Sequence, residues 1–453
     1  MKIIIVGAGE VGYHIASRLA LENKDVVVID QKPEAVRRIA EHVDAQVIQG
    51  SGSSPVVLER AGLKDADILL AVTNSDEINL IACLVANMIS PATKKLARIR
   101  HADFDNYHAL FKENAPYIDT VINPEIEVIK TIETLMCAPG AVDVGEFADG
   151  RVNFVGVRLS ENSRLSGIRL MDLRSEVEDA PLIAAVVRKD ELIIPRGNDR
   201  LHAGDLVYFI SERDRLEQTL QLFGKQSHPV RRAIIVGGGQ IGTRLARKLV
   251  KKGVQTKVVE KDVARCDALA EQLNKAIIIH GDASDQTILS EENIRDTDMV
   301  VTLTDDEETN ILVSLLAKRM GARAAITKIS KFSYLPLMPA IGIDQVVSPR
   351  LSAIDSILRH IRKGRILSAL SVNGEQAEVM EAVAMETSDI VGKPLKKIQF
   401  PKGALLIGVV RDDAIIIPSG ATQVEPGDRV IIFARRPAVP KIEKILTVKL
   451  EFF

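Results

Sequence analysis

The feature that most constrains this sequence is a glycine-rich motif that occurs twice. An apolar run leads into Gly7-Ala8-Gly9-Glu10-Val11-Gly12, and the pattern returns as Gly237-Gly238-Gly239-Gln240-Ile241-Gly242. In a G-x-G-x-x-G pattern the first glycine permits a tight turn, the second lets the backbone approach a pyrophosphate, and the third lets helix and strand pack closely. The motif predicts a strand, a loop and a helix that bind a dinucleotide, once in each half of the chain.

The remainder of the chain repeats in the same order. Matched positions, at offsets between 223 and 231 residues, include Asp30 with Glu260, Thr73 with Thr304, Asn79 with Asn310, Pro124 with Pro349, and Gly204 with Gly427. Self-similarity that runs through both halves indicates a tandem duplication.

We predict an α/β protein with two tandem Rossmann-like parallel-sheet domains, each followed by a small α+β domain. In the small domains the sequence predicts short strands and tight turns, for example a strand at Phe154–Leu159. A helix at Arg213–Phe223 is predicted to end the first of these domains. The predicted segments are 1–123 and 232–348 for the Rossmann-like domains, 124–140 and 349–364 for crossover helices, 141–223 and 365–453 for the small domains, and 224–231 for a linker.

Composition excludes several classes of protein. Aromatic residues make up 4%, tryptophan is absent and the net charge is −2, so nucleic-acid binding has little support. Three scattered cysteines fit a reduced, cytoplasmic compartment and form no zinc motif. No apolar run approaches the roughly 18–20 residues of a membrane span. We therefore expect a soluble protein that reaches a membrane only through a partner.

Two matched acids indicate which nucleotide binds. Asp30 lies 18 residues after Gly12, and Glu260 lies 18 residues after Gly242, each at the end of the second predicted strand. A carboxylate there accepts hydrogen bonds from an adenosine ribose and disfavours a 2′-phosphate. The spacing favours NAD(H), or a nucleotide such as ATP, over NADP(H). The alternative is a solvated acid in a loop.

Other candidate residues follow the later strands, where ligands sit at the carboxyl edge of a parallel sheet. They are Ser51 and Asp282 after strand three, Thr73-Asn74 and Thr304-Asp305 after strand four, and Arg98 and Lys328 at the end of strand five. Each has a structural alternative. Ser51 and Asp282 could simply form turns, and the residues after strand four could cap the next helix. Arg98 and Lys328 could be solvated side chains at the sheet edge. The cluster Arg244, Arg247 and Lys248 is predicted to form a solvated helix face, with a phosphate clamp as the alternative.

No catalytic constellation is evident. The eight histidines do not recur at matched positions, and neither a nucleophile elbow, a zinc-protease helix nor a P-loop is present. A dehydrogenase usually supplies an acid or base beside the nicotinamide from a substrate domain. We therefore expect binding and sensing and no enzyme activity. The main alternative is a soluble NAD-dependent oxidoreductase.

These features together resemble the RCK (regulator of potassium conductance) module. The resemblance rests on the two glycine motifs with their preceding strands, Ala71-Val72-Thr73-Asn74-Ser75-Asp76-Glu77 and Ala97-Arg98-Ile99-Arg100, and it covers essentially the whole chain. Two modules in one chain are similar to the cytoplasmic regulatory subunits of Trk-type bacterial potassium uptake.

The resemblance implies a non-catalytic role. Members of this family bind NAD(H) and adenine nucleotides (ATP/ADP), form a homo-oligomeric ring, expected to be a tetramer, and gate a potassium-translocating subunit from the cytoplasmic face of the inner membrane. Family contacts map onto Gly7 to Val11, Asp30, Thr73-Asn74 and Arg98, and in the second copy onto Gly237 to Ile241, Glu260, Thr304-Asp305 and Lys328. Asp305 in place of an asparagine adds negative charge, so the second site is expected to differ in ligand preference. A ring that serves another cation transporter is the remaining alternative.

Overall fold

The computed structural model describes residues 1–177, 179–189, 191–225, 228–361, 366–374 and 376–446. Parts of the predicted segments lie outside the described residues. They are 178 and 190 in the first small domain, 226–227 in the linker, 362–364 in the second crossover helix, and 365, 375 and 447–453 in the second small domain. The chain forms two compact units: 1–127 with the helix at Pro349–Ile361, and 128–348 with the described residues from 366 onward.

The first unit contains a six-stranded parallel sheet. Its strands are β1 (Lys2–Val6), β2 (Asp25–Asp30), β3 (Gln46–Gln49), β4 (Ile68–Ala71), β5 (Lys94–Arg98) and β6 (Thr120–Ile122). Its helices are α1 (Glu10–Leu21), α2 (Pro33–His42), α3 (Pro55–Arg60), α4 (Asp76–Ile89) and the short α5 (Leu110–Glu113), which the sequence did not predict. The strand order is β3-β2-β1-β4-β5-β6. The order reverses between β1 and β4, and ligands bind at such a point in doubly wound sheets.

The helix α6 (Pro124–Cys137) leads into the second unit. Its apolar stripe, from Val128 to Leu135, joins a hydrophobic cluster that also contains Ile241, Leu245 and Leu249. The first crossover helix thus packs on the second Rossmann-like domain.

The first small domain is a five-stranded antiparallel sheet with two short helices. It consists of β7 (Ala141–Phe147), β8 (Val152–Arg158), α7 (Leu173–Glu176), β9 (Leu182–Arg188), β10 (Glu191–Ile193), β11 (Leu206–Glu212) and α8 (Leu216–Leu222). The strand β7 and helix α7 were not predicted. The predicted helix at Arg213–Phe223 was wrong in its first turn: Arg213–Arg215 is a 3-10 turn.

The second Rossmann-like domain repeats the topology of the first. It contains β12 (Arg232–Val236), α9 (Gln240–Lys251), β13 (Gln255–Glu260), α10 (Val263–Gln272), β14 (Ile277–His280), α11 (Gln286–Glu291), β15 (Met299–Thr302), α12 (Glu307–Met320), β16 (Ala324–Lys328) and β17 (Gln345–Val347). The strand order β14-β13-β12-β15-β16-β17 is the same, and every pairing is parallel.

The last third of the chain completes both units. The helix α13 (Pro349–Ile361) belongs to the first unit and packs against α1. The second small domain consists of β18 (Ile366–Val372), β19 (Ala377–Val383), β20 (Ala404–Arg411), β21 (Ala414–Ile416), β22 (Arg429–Arg435) and α14 (Val439–Leu446). The two antiparallel sheets share one hydrophobic cluster, in which the rings of Phe154 and Phe433 stack with centroids 6.2 Å apart. The predicted α/β class is confirmed, with two parallel and two antiparallel sheets.

Candidate nucleotide-binding sites

The two glycine loops have the same geometry. Gly7 has φ +108° and Gly237 has φ +103°, in the range that favours glycine. A Cβ at Gly12 would lie 1.9 Å from the Gly7 carbonyl oxygen, and one at Gly242 would lie 2.0 Å from that of Gly237. These positions must be glycine for the turn to close against its helix.

The middle glycine of each loop is different, because nothing crowds it. A Cβ at Gly9 or at Gly239 would have no atom within 4 Å. These glycines occupy the N-cap positions of α1 and α9, and they have no side chain with which to cap either helix. The first backbone N–H groups of a helix are natural anion donors. Each loop is therefore open where a phosphate would approach, and the residues fit a dinucleotide.

The two matched acids hold the loops in place. Asp30 accepts hydrogen bonds from the backbone N–H groups of Ala8, at 2.7 Å, and Lys32, at 2.8 Å. Glu260 accepts from the N–H groups of Gly238 and Lys261, both at 2.8 Å. Neither is simply a solvated loop acid. Asp30 is half-buried and Glu260 only 6% exposed, so the first carboxylate has more free surface for a ribose.

The residues after strand four form a matched amide network. The Asn79 amide oxygen accepts from the Thr73 N–H at 3.0 Å, and its nitrogen donates to the Arg98 carbonyl oxygen at 2.8 Å. Asn310 makes the same bonds to Thr304 and Lys328, at 2.9 and 3.2 Å. Both asparagines are fully buried.

The helices after strand four are capped by residues other than Thr73-Asn74 and Thr304-Asp305. Ser75 caps α4 by accepting from the Ile78 N–H, and Asp306 caps α12 by accepting from the Thr309 N–H. Thr73 therefore braces the edge of the sheet, and the side chain of Asn74 is exposed there. The plain capping interpretation was wrong for the threonines.

The residues after strand three form local turns. The Ser51 hydroxyl lies 2.9 Å from the Ser53 hydroxyl. One Asp282 oxygen accepts from both the N–H and the hydroxyl of Ser284, at 2.9 and 2.8 Å, and these bonds lower the pKa of Asp282. Both contacts fit the turn-forming interpretation.

Arg98 is half-buried at the edge of the sheet. Its Nε is buried and forms no hydrogen bond within the described part of the chain. Burial, together with the charges of Arg100 and Arg350, lowers the pKa of Arg98 to about 10, although Asp76 and Glu125 act to raise it. A nearby anion would relieve this unpaired guanidinium. In the second copy, Lys328 instead lies 3.1 Å from the Asp305 carboxylate.

One residue at the first site comes from far along the chain. Arg350, at the start of α13, lies 3.9 Å from the Glu10 carboxylate, and Arg38 lies 2.5 Å from it. Burial acts to raise the pKa of Glu10, but Arg38, Arg350 and His14 outweigh it and lower that pKa. The guanidinium of Arg38 also stacks over Tyr13, 3.9 Å from the ring centroid. Sequence reasoning missed Arg38 and Arg350; the only signal for Arg350 was the repeated crossover helix.

The basic cluster on α9 has a structural partner. Lys248 lies 2.7 Å from the Glu133 carboxylate on α6, and Lys252 lies 2.8 Å from it. Lys248 thus pairs with the first crossover helix while its side chain stays exposed, in agreement with the solvated-face interpretation.

Two kinds of feature are absent from the described residues. No helix there combines the length and apolar character that crossing a bilayer requires. The same residues include no group of three or more His, Cys, Asp or Glu side chains arranged to hold a metal ion.

Comparisons with known proteins match this architecture. The family model described as TrkA-N domain matches residues 3–124 and 233–349, and the one described as TrkA-C domain matches 154–224 and 379–447. The Trk system potassium uptake protein TrkA of Azorhizobium caulinodans is 38% identical over 458 residues, which cover 100% of both chains. A TrkA homolog 2 of Methanosarcina mazei is 39% identical and covers 98% of this chain and 100% of its own.

Solved structures show the same fold at lower identity. The GsuK RCK domain has a TM-score of 0.58 at 17% identity and covers 98% of this chain and 94% of its own. The GsuK channel bound to NAD has a TM-score of 0.59, also at 17% identity, and covers 98% of this chain and 78% of its own. The chain belongs to the TrkA family of Trk system potassium uptake proteins, as the sequence resemblance predicted.

Proposed function

We propose that this protein is a nucleotide-sensing regulatory subunit that controls a potassium-translocating membrane protein. The observation that carries the proposal is the loop found in both halves: a glycine open to a ligand, an uncapped helix start and a carboxylate at the end of the second strand. This combination binds the ribose and phosphates of an adenine nucleotide.

The charged residues at each site support a preference for particular nucleotides. The carboxylates of Asp30 and Glu260 disfavour a 2′-phosphate, which supports NAD(H) over NADP(H). The GsuK channel, which shares the fold, has been solved bound to NAD. Arg98 and Arg350 add positive charge at the first site, which also suits ATP or ADP. At the second site Lys328 is engaged by Asp305, so we expect its ligand preference to differ.

The placement of α13 supplies a mechanism for sensing. This helix follows the second Rossmann-like domain in sequence, yet its Arg350 lies beside the first glycine loop. A nucleotide bound in that loop therefore changes the contact between Arg350 and Glu10 that holds α13 against the first Rossmann-like domain. A ligand shifts a conformational equilibrium by its differential affinity for the two states, typically about 1–3 kcal/mol for allosteric systems.

Assembly into a homo-oligomeric ring, a tetramer, is part of the proposal. Ile81 on α4 is 44% exposed and Leu312, its matched residue on α12, is 49% exposed. Large apolar side chains exposed at the same position of both copies suit a repeated subunit contact. We expect Ile81→Asp and Leu312→Asp to reduce the mass measured by analytical ultracentrifugation, and Met171→Asp, at an exposed residue of a small domain, to leave it unchanged. Full assembly of both variants would argue against this contact.

The membrane partner completes the proposal. The TrkA relatives are named as Trk system potassium uptake proteins, and we place this chain on the cytoplasmic face of the inner membrane, docked on a Trk-type potassium-translocating subunit. Copurification of that subunit with the tagged chain from native membranes supports this placement. Recovery of a different cation transporter would identify another partner.

Potassium uptake in cells that lack their own copy of the gene tests the function. The wild-type chain is expected to restore uptake, whereas Asp30→Arg, which removes the ribose acceptor, should fail to give nucleotide-dependent uptake. Asp44→Arg makes the same charge change at an exposed position of the same domain and serves as the control. Restoration by Asp30→Arg at the wild-type level contradicts the proposal. Steady turnover of NADH with a soluble acceptor would favour the oxidoreductase alternative.

A further inference from the structure

A cavity of about 650 Å³ lies at the amino-terminal edge of the second parallel sheet. The starts of β15, β16 and β17 form one wall, and the end of β8 and the chain after α8 form the other. The glycine loop follows the carboxyl end of β12, so the cavity is at the other edge of the sheet from the candidate nucleotide site. Its volume is in the range of small-molecule sites, roughly 300–1,000 Å³.

The charged residues that line the cavity leave an excess of positive charge. Asp298 is engaged by Arg323, at 2.9 Å, and by two backbone N–H groups at the start of β12, both at 2.9 Å. Asp344 is shared by Arg158, at 3.9 Å, and Lys318, at 3.8 Å. With Lys225, the cavity has four cations against two carboxylates, all of them lining residues.

Lys225 is the cation least compensated by its surroundings. It is half-buried, its aliphatic stem packs over Gly140, and its ammonium forms no hydrogen bond or ion pair within the described residues. Burial and the charge of Arg158 lower the pKa of Lys225, although Asp344 acts to raise it. A partly desolvated ammonium beside a cavity is stabilised when an anion enters.

Gln345 is a second sign of incomplete pairing. It is 5% exposed, lines the same cavity, and donates through Nε2 to the Ala141 carbonyl oxygen at 2.9 Å. Its Oε1 is buried and accepts no hydrogen bond in the described part of the chain. Most buried polar atoms in proteins have a partner, so an orphaned acceptor suggests that a hydrogen-bond donor binds there in function, such as the hydroxyl group of a hydrogenphosphate or of a hydroxycarboxylate.

We propose that this cavity is a further effector site, distinct from the two nucleotide loops. It binds a small multivalent anion, a phosphate or polycarboxylate compound, between Lys225, in the linker directly after the first small domain, and Lys318 and Arg323 of the second Rossmann-like domain. The anion joins these two domains through charge-assisted hydrogen bonds. The site is independent of the nucleotide loops in both residues and position.

Calorimetric titration of the full chain with inorganic phosphate and, separately, with citrate tests the site, with sodium chloride at equal ionic strength as the blank. At least one anion is expected to bind the wild type. Lys225→Met should weaken that binding by about tenfold or more, the usual cost of a hydrogen bond to a charged group. Lys225→Arg should retain most of the affinity, and Lys402→Met, at an exposed lysine of the second small domain, should not change it.

The two anions separate the possible sources of the ligand: binding of phosphate alone indicates a phosphorylated compound, and binding of citrate alone indicates a polycarboxylate. Unchanged NADH affinity in Lys225→Met shows that the variant is folded and that nucleotide binding does not depend on the cavity. If neither anion binds the wild type above the chloride blank, or if Lys225→Met binds as tightly as the wild type, the proposal is overturned.

Discussion

At the scale of single residues, the glycines of each loop divide into two kinds. Gly12 and Gly242 are confined by the carbonyl oxygen of the turn, whereas Gly9 and Gly239 face open space. The first kind serves folding and the second serves binding, although both belong to one motif. Sequence spacing identifies the motif but does not separate these roles, because they depend on which atoms surround each Cα.

Two alanine substitutions separate the roles. Gly12→Ala places a methyl group against the Gly7 carbonyl and should destabilise the fold by roughly 1–3 kcal/mol, as overpacking does. Gly9→Ala has room for its methyl group and an ordinary φ of −64°, so the fold should be unaffected while nucleotide affinity falls. Thermal unfolding and calorimetric nucleotide titration measure the two effects. Equal stability of the two variants would contradict this division.

At the scale of elements, buried polar contacts tie neighbouring strands and helices together. The Asn79 and Asn310 amides join the end of strand four to the end of strand five in both copies. Glu133 joins the crossover helix α6 to α9 through Lys248 and Lys252. The sequence predicted these elements, but which polar side chains pair with one another follows from packing.

Removing the amide network should destabilise the first Rossmann-like domain. Asn79→Leu leaves the Thr73 N–H and the Arg98 carbonyl without partners, at a cost of about 1–3 kcal/mol per buried group. Asn74→Ala, at an exposed side chain, should leave the free energy of unfolding unchanged. Chemical denaturation measures both, and a variant Asn79→Leu as stable as the wild type would show that the network is dispensable.

The contact of α6 with α9 predicts a pH dependence. Burial acts to raise the pKa of Glu133, but the hydrogen bonds and charges of Lys248 and Lys252 outweigh it and hold that pKa below its ordinary value of 4.5. A carboxyl group whose pKa is lowered in the folded state stabilises the fold above its unfolded pKa, and this contribution is lost as the pH falls through the folded value.

Glu133→Gln should therefore make stability fall less steeply with acid below about pH 4.5, the ordinary value for this group. The measurement is the free energy of unfolding across that range. Glu271→Gln, at an exposed residue of α10, is the control. If the free energy of unfolding falls equally with decreasing pH in Glu133→Gln and in the wild type, this ion pair is ruled out as a source of pH-dependent stability.

At the scale of the whole molecule, the duplication could be predicted from sequence and the exchange of helices could not. Matched spacing of Gly12 with Asp30 and of Gly242 with Glu260 was enough for two Rossmann-like domains. The apolar stripes of α6 and α13 indicated that each helix packs on something, but not that α6 packs on the second Rossmann-like domain and α13 on the first. Strand β7 was missed because its residues include Asp143, Gly145 and Glu146, which break the apolar alternation of a strand.

Prediction of the site residues was limited in the same way, because contacts between distant parts of the chain could not be predicted from the sequence. Asp30, Glu260 and the glycines were found because their spacing is local, and they remain predictions as nucleotide ligands. Arg350 was missed at the first site because it is brought there by α13, and it lies 340 residues from Glu10 in the sequence. A charge supplied by a distant part of the chain leaves no local spacing pattern from which it could be predicted.

Calorimetric titration of NADH onto the full-length chain tests the nucleotide-sensing claim most directly. The wild type and Asp44→Arg should bind NADH with the same affinity, and Asp30→Arg should lose binding at the first site, because its guanidinium replaces the carboxylate that accepts the ribose hydroxyls. Absence of NADH, ATP and ADP binding to the wild type, or undiminished binding of each to Asp30→Arg, would contradict it.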